Sequence, residues 1–89
     1  MKAVITVLGK DQIGILARVS GLCAEMGVNV EEVTQNILGG TFAMIMLVDV
    51  SKCTVEYPQL VKRLEESGRE HGMDIHITRQ ELFEAMHRI

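Results

Sequence analysis

The stretch Asn29–Val50, NVEEVTQNILGGTFAMIMLVDV, decides the fold. Its first half alternates, with Val33 and Ile37 on one side and Glu32, Thr34 and Asn36 on the other, the pattern of a strand with a single buried face. Gly39-Gly40 then supplies adjacent residues that tolerate positive φ, as a two-residue hairpin turn requires. Thr41–Val50 is apolar on both alternating sets, so it belongs in the middle of a sheet with both faces covered. The hairpin therefore joins an edge strand, Asn29–Leu38, to a central one.

The rest of the chain repeats this contrast. Residues 2–8, KAVITVL, are β-branched and apolar on both sets, a second central strand. Met73–Ile77 places Met73, Ile75 and Ile77 against Asp74 and His76, a second half-polar edge strand. Between the strands lie amphipathic helical stretches. From about Ile13 to Met26 the positions Ile15, Val19, Leu22 and Met26, widened by Leu16 and Cys23, form one apolar stripe, and Gly27 follows as a left-handed cap. From about Val55 to His71, Tyr57, Leu60, Val61 and Leu64 point inward, with Pro58 in the tolerant first turn. Lys62/Glu66 and Glu65/Arg69 sit at ion-pairing spacing on its outer side, and Gly72 ends it. Thr78-Arg79-Gln80-Glu81 has the spacing of a capping box, and Leu82, Phe83, Met86 and Ile89 mark a helical extension over about residues 79–88.

The order is β-α-β-β-α-β with an added helix, in one domain spanning residues 1–89. Two fully apolar and two half-polar strands predict an α+β, ferredoxin-like βαββαβ fold, with a four-stranded antiparallel sheet in the order 4-1-3-2 and both helices on one face. The apolar residues on the open face need a cover, either the C-terminal helix or a partner subunit.

At 89 residues, the chain buries only roughly 60–65% of the surface its unfolded form exposes. Association with a second copy is an economical source of further burial, and a homodimer is expected. Aromatic residues make up 3% of the chain (Phe42, Tyr57 and Phe83) and the formal net charge is −3. Stacking platforms and a cationic track are thus both missing, which argues against nucleic acid. No apolar run reaches the roughly 20 residues of a membrane span. Cys23 and Cys53 carry no CxxC spacing and no secretory leader is evident, so a reducing, cytoplasmic setting is expected.

Little in the sequence points to catalysis. Ser20 and Ser67 lie in helices without a glycine elbow or a base. Cys23 is on a buried stripe, and Cys53 has only Lys52 nearby. His71, His76 and His87, even with Asp74 and Cys53, lack the helical spacing of a zinc motif. Met44 and Met46 share one face of a central strand and read as core filling. The expectation is a protein with no enzyme activity, no metal and no cofactor.

The candidate binding segment is the first strand-to-helix loop, Gly9–Gly14. Backbone N–H groups at a helix N-terminus attract a carboxylate, and Gly14 permits close approach. Asp11 offers an acceptor for an ammonium group, and Asn29 offers both a donor and an acceptor. These groups suit a zwitterion such as an amino acid. The structural alternatives are Asp11 as the helix N-cap and Asn29 as a stabiliser of the turn after Gly27.

The runs Gly9-Lys10-Asp11-Gln12-Ile13-Gly14-Ile15, Ala17-Arg18-Val19 and Glu25-Met26-Gly27-Val28-Asn29-Val30 resemble the ACT domain, and the likeness extends over the whole chain. Phe42-Ala43-Met44 and the tail Phe83–Ile89 are most similar to the small stand-alone members of that family in bacteria and archaea. The resemblance implies a βαββαβ fold that binds amino acids or other small effectors at interfaces between domains and regulates metabolic enzymes. It also implies an effector site at Asp11, Gln12, Ile13, Gly14, Asn29 and Val30. A stand-alone module of this kind is expected to act through a separate partner, such as a regulated enzyme. The competing expectation is an assembly module with no ligand of its own.

Overall fold

The computed structural model describes residues 1–86. It contains β1 (Lys2–Lys10), α1 (Ile15–Glu25), β2 (Asn29–Leu38), β3 (Thr41–Asp49), α2 (Tyr57–Glu70), β4 (Met73–Arg79) and α3 (Gln80–Met86). The strands form one antiparallel sheet in the order β2-β3-β1-β4, the expected order read from its other edge. With extents of 35 × 35 × 19 Å, the molecule is a slab about as thick as one sheet and one helical layer.

The strands alternate between the two layers. Ala3, Ile5 and Val7 of β1, Phe42, Met44, Met46 and Val48 of β3, and Met73 and Ile75 of β4 are all buried in one cluster with α1 and α2. Met44 and Met46 are thus core residues. On α1 the buried row is Ile15, Val19 and Cys23, continued by Met26 at the cap. Leu22 is only half-buried and Leu16 is exposed, so the stripe is narrower than its apolar spacing predicts. Leu60, Leu64 and Gly68 form the buried face of α2, while Tyr57 and Val61 lie at its margin. A Cβ at Gly68 would lie 2.6 Å from the Met73 carbonyl oxygen. Only a residue without a side chain lets α2 approach the start of β4 this closely.

Several boundaries differ from the periodicity. β1 continues to Lys10 and β4 to Arg79, because the ladder pairs Lys10 with Thr41 and Ala3 with Arg79. Thr78 and Arg79 are consequently strand residues, and α3 follows directly at Gln80. Residues 87–88 of the expected extension lie outside the described residues. Of the two ion pairs expected on α2, Lys62–Glu66 is present at 3.9 Å. None joins Glu65 to Arg69 among the described contacts.

β2 departs most from expectation. Apart from the half-buried Val30 it is exposed along its whole length, Val33 and Ile37 included. Its apolar residues do point to the helical side, opposite Met46 and Phe42, but the helical layer leaves them open. The ladder also slips between Val30 and Glu32: Val30 pairs with Val48 and Glu32 with Leu47, leaving Glu31 as an inserted residue, which is a β-bulge.

On the opposite face, α3 packs against β1 and β4. Val4 on that face is 5% exposed, whereas Leu8 and Ile45 are 52% and 47% exposed. Leu82 and Met86 of α3 are exposed as well.

Candidate functional site

The β1–α1 loop is held from several directions. The Asp11 backbone N–H donates to the Gly40 carbonyl at 2.9 Å, tying the loop to the β2–β3 hairpin. Gln12 Nε2 donates to the His71 carbonyl at 2.9 Å and to Met73 Sδ at 3.3 Å. The Gln12 amide therefore acts as a strut to the end of α2 and the start of β4. Ile13, at the tip, is 99% exposed. Gly14 is the N-cap of α1 with φ 83°, and no side chain caps the helix. Asp11 is not the cap. The first turn of α1 has no acidic residue, so its free N–H groups and positive dipole end are uncompensated, an arrangement favourable to an anion.

Asn29 opens β2 at the opposite end of the sheet. Lys2 pairs with Asp49, and Asp49 with Asn29, at one end; Lys10 pairs with Thr41, and Thr41 with Leu38, at the other. Eight residue steps of strand separate these ends, about 26 Å at ~3.3 Å per residue. One copy of the chain therefore does not bring the Asp11–Gly14 loop together with Asn29 and Val30. A small ligand touching both needs two copies.

Around Asn29 there is a shallow hollow of about 320 Å³ lined by Gly27, Asn29, Asp49, Ser51 and Lys52. Its walls are locked together. Gly27 has φ 72°, and a Cβ there would lie 2.6 Å from the Lys52 carbonyl oxygen. The Thr54 N–H donates to the Met26 carbonyl at 2.8 Å, and the Cys53 N–H to that of Val50 at 3.1 Å. Asp49 Oδ1 accepts from the Ser51 N–H at 2.9 Å and from the Ser51 hydroxyl at 2.5 Å. These hydrogen bonds, the hydroxyl's foremost, hold the Asp49 carboxyl below the usual carboxylate range.

Sequence periodicity misses Asp49, Ser51 and Lys52, and the bulge is the reason. Counted straight back from the hairpin turn, Asn29 would fall opposite Val50, on the helical side. The extra residue at Glu31 turns it opposite Asp49. Glu31 is itself held by an ion pair with Lys2.

The remaining reactive groups have structural roles. His71 is the C-cap of α2, with Nδ1 2.8 Å from the Ser67 carbonyl, and His76 pairs with Asp74 at 2.9 Å on an exposed face. No cluster of metal-binding side chains occurs among the described residues, which do not include His87. Ser20 donates to the Leu16 carbonyl within its own helix. Burial pushes the Cys23 thiol up to about 11, which disfavours the nucleophilic thiolate. No described helix is long and apolar enough to cross a membrane.

This fold, with a bare α1 N-terminus at one end of the sheet and a polar hollow at the other, is that of a small regulatory, ligand-binding module. The ACT domain family matches residues 2–78, and the chain belongs to that family. It is 44% identical over all 89 residues to the UPF0237 protein lin0537 of Listeria innocua, covering the whole of both chains. Among solved structures it is similar to an ACT domain protein from Streptococcus pneumoniae, with 39% identity, a TM-score of 0.82 and 98% of each chain covered. It is also similar to the ligand-free regulatory subunit of aspartate kinase from Thermus thermophilus, with 26% identity and a TM-score of 0.67. There the match spans 86% of this chain and 50% of the other.

Proposed function

We propose that the protein is a homodimeric sensor of a free amino acid, whose binding site is assembled from the Asp11–Gly14 loop of one copy and the Asn29-Val30 end of the other. The opposite placement of these segments on the sheet carries this reading. A twofold axis beside β2, pairing that edge with its copy in antiparallel fashion, sets each Asn29 near the other copy's hairpin. The Asp11–Gly14 loop is hydrogen-bonded to the same hairpin.

Further features support such a pairing. Beyond the bulge at Glu31, β2 offers the regular edge Glu32–Leu38, with Val33, Ile37 and Leu38 exposed and with no Lys or Pro to discourage strand addition. Leu16 on the neighbouring helix and Ile13 at the loop tip are exposed too. In the assembled site the uncapped N-terminus of α1 receives the effector carboxylate, while Asp11 and the Asn29 amide receive the ammonium group. Ile13 and Val30 supply apolar contact, and Gln12 fixes the loop. Binding shifts the geometry of the dimer and with it the affinity for a separate regulated protein. Such couplings are typically about 1–3 kcal/mol.

Thermal unfolding against the twenty amino acids tests the proposal. An effector at 100 times its dissociation constant stabilises the folded state by about 2.7 kcal/mol, a rise in Tm of about 10 °C or more for a domain of this size. The rise is expected for one chemical class of amino acid and is lost in both Asp11→Ala and Asn29→Ala. A response retained in both variants would overturn the site.

Leu8 and Ile45 on the open sheet face, with Leu82 and Met86 on α3, favour a second reading in which assembly alone is the function. Deleting residues 80–89 then dissociates the dimer, while Asp11→Ala and Asn29→Ala have no measurable effect.

A further inference from the structure

Asp49 and Lys52 line the same hollow as Asn29, yet no ion pair joins them among the described contacts. Both contacts of the Asp49 side chain with Ser51 use Oδ1. The terminal amine of Met1 lies 3.9 Å from that same oxygen, and Lys2, opposite Asp49 on the ladder, also favours its charged form. Oδ2 has no partner among the described contacts. The nearest lysine on the ladder, Lys2, is held by Glu31, and Lys52 has no carboxylate partner among the described residues. The hollow thus presents a carboxylate oxygen and an ammonium group that are each uncommitted.

We infer that Asp49 and Lys52 are the residues that read the two charged ends of the effector, Asp49 Oδ2 accepting from its ammonium group and Lys52 facing its carboxylate. Three observations carry the step. Asp49 Oδ2 and the Lys52 ammonium group are of opposite charge and have no partner among the described contacts, so a zwitterion placed between them engages both at once, and charge-assisted hydrogen bonds are the stronger kind. The cradle is preformed: Gly27 against the Lys52 carbonyl, the Thr54–Met26 bond and the Ser51 bonds to Asp49 fix its walls before any ligand arrives, which lowers the ordering cost of binding. At about 320 Å³, the hollow is at the small end of the roughly 300–1,000 Å³ range of ligand pockets. It suits a free amino acid and not a peptide.

This inference rests on the proposed amino-acid site and deepens it. Across the interface the bare N-terminus of α1 faces the same carboxylate as Lys52, and Asp11 the same ammonium group as Asp49. Asn29 lines the same hollow, its amide able to donate to one end and accept from the other. The effector class narrows accordingly to free α-amino acids with both ends charged. N-acylated and amidated forms are excluded because each would leave one charge of the hollow desolvated and unpaired.

The test is calorimetric titration of the intact protein with the amino acid that raises Tm most, its N-acetyl derivative and its amide. Wild type, Asp49→Asn and Lys52→Met are compared, with Asn29→Ala as the control for the site itself. Asn at position 49 keeps an oxygen for the Ser51 bonds, so the loop stays folded. We expect each substitution to weaken the free amino acid at least tenfold. Asp49→Asn should shrink the preference over the N-acetyl form, and Lys52→Met the preference over the amide. If both variants bind within twofold of wild type while Asn29→Ala abolishes binding, the inference falls and the amino-acid site stands. If no amino acid binds wild type at all, both fall.

Discussion

Gly27 and Gly21 show how differently one residue type is used within a few positions. Gly27 has φ 72°, and a Cβ there would meet the Lys52 carbonyl oxygen at 2.6 Å; Gly21, inside α1, has open space around it. Gly27→Ala places an L side chain in the left-handed region against backbone that must move, and is expected to cost about 2–3 kcal/mol. Gly21→Ala removes only the entropic penalty of glycine in a helix and is expected to stabilise by about 0.5–1 kcal/mol. Urea unfolding of both variants checks the pair; equal effects would contradict the packing described for the α1–β2 turn. Cys23 supports a prediction in pH. Its thiol is raised from an ordinary 9.0 to about 11 by burial, with a smaller contribution from Cys53. The folded state therefore holds this proton more tightly than the unfolded chain, so the contribution is complete below pH 9 and is lost as pH rises toward 11. Stability measured across that window is expected to fall, and to fall less in Cys23→Ala relative to that variant's own value at pH 8. Iodoacetamide at pH 8 is expected to modify the half-buried Cys53 well before Cys23.

At the scale of the element, β2 is where the structure adds most to the sequence. Its exposed Val33 and Ile37 are the central contacts of the proposed edge-to-edge dimer. Val33→Lys and Ile37→Lys are each expected to yield a folded monomer by sedimentation, with the far-UV spectrum unchanged, since neither side chain contributes to the buried cluster. A dimer persisting in both variants would move the interface to the open sheet face. The type of every element and the sheet order were legible because β1 and β3 are apolar on both sets and β2 and β4 are not. The bulge was not legible: no glycine or proline marks Glu31, and a one-residue insertion reverses which face Asn29 occupies. Nor does alternation tell how far a helical layer reaches, which is why Val33 and Ile37, expected on the buried face of β2, are exposed. The capping-box spacing at Thr78 was overridden by the ladder, in which Thr78 pairs with Val4. Gln12 was read from the sequence as a residue of the binding loop; the strut it forms was not legible, because its partners His71 and Met73 are about sixty residues away in the chain.

For the molecule as a whole, the chain is a thin slab with its candidate groups at opposite ends of the sheet, and this shape explains why a short chain would sense a ligand as a pair. A site within one copy would have to span about 26 Å, far beyond an amino acid, whereas a twofold pair brings the two halves together twice. In the proposed dimer, effector binding couples directly to assembly, since only the pair contains the complete site. The Asp11–Gly14 loop and Asn29 were both named from the sequence as candidate residues, but not the hollow around Asn29. Their separation was not legible either, because it depends on strand direction and register.

The most direct test is subunit complementation. Asp11→Ala and Asn29→Ala chains carrying different affinity tags are refolded together, and the heterodimer is isolated and titrated with the effector that stabilises the wild type. In that heterodimer one site has lost both groups, while the other takes Asp11 from one chain and Asn29 from its partner, both intact. The account predicts one binding site per heterodimer at close to wild-type affinity, with neither parental homodimer binding. A heterodimer as inert as its parents would show that loop and strand do not meet across copies, and would contradict the shared site.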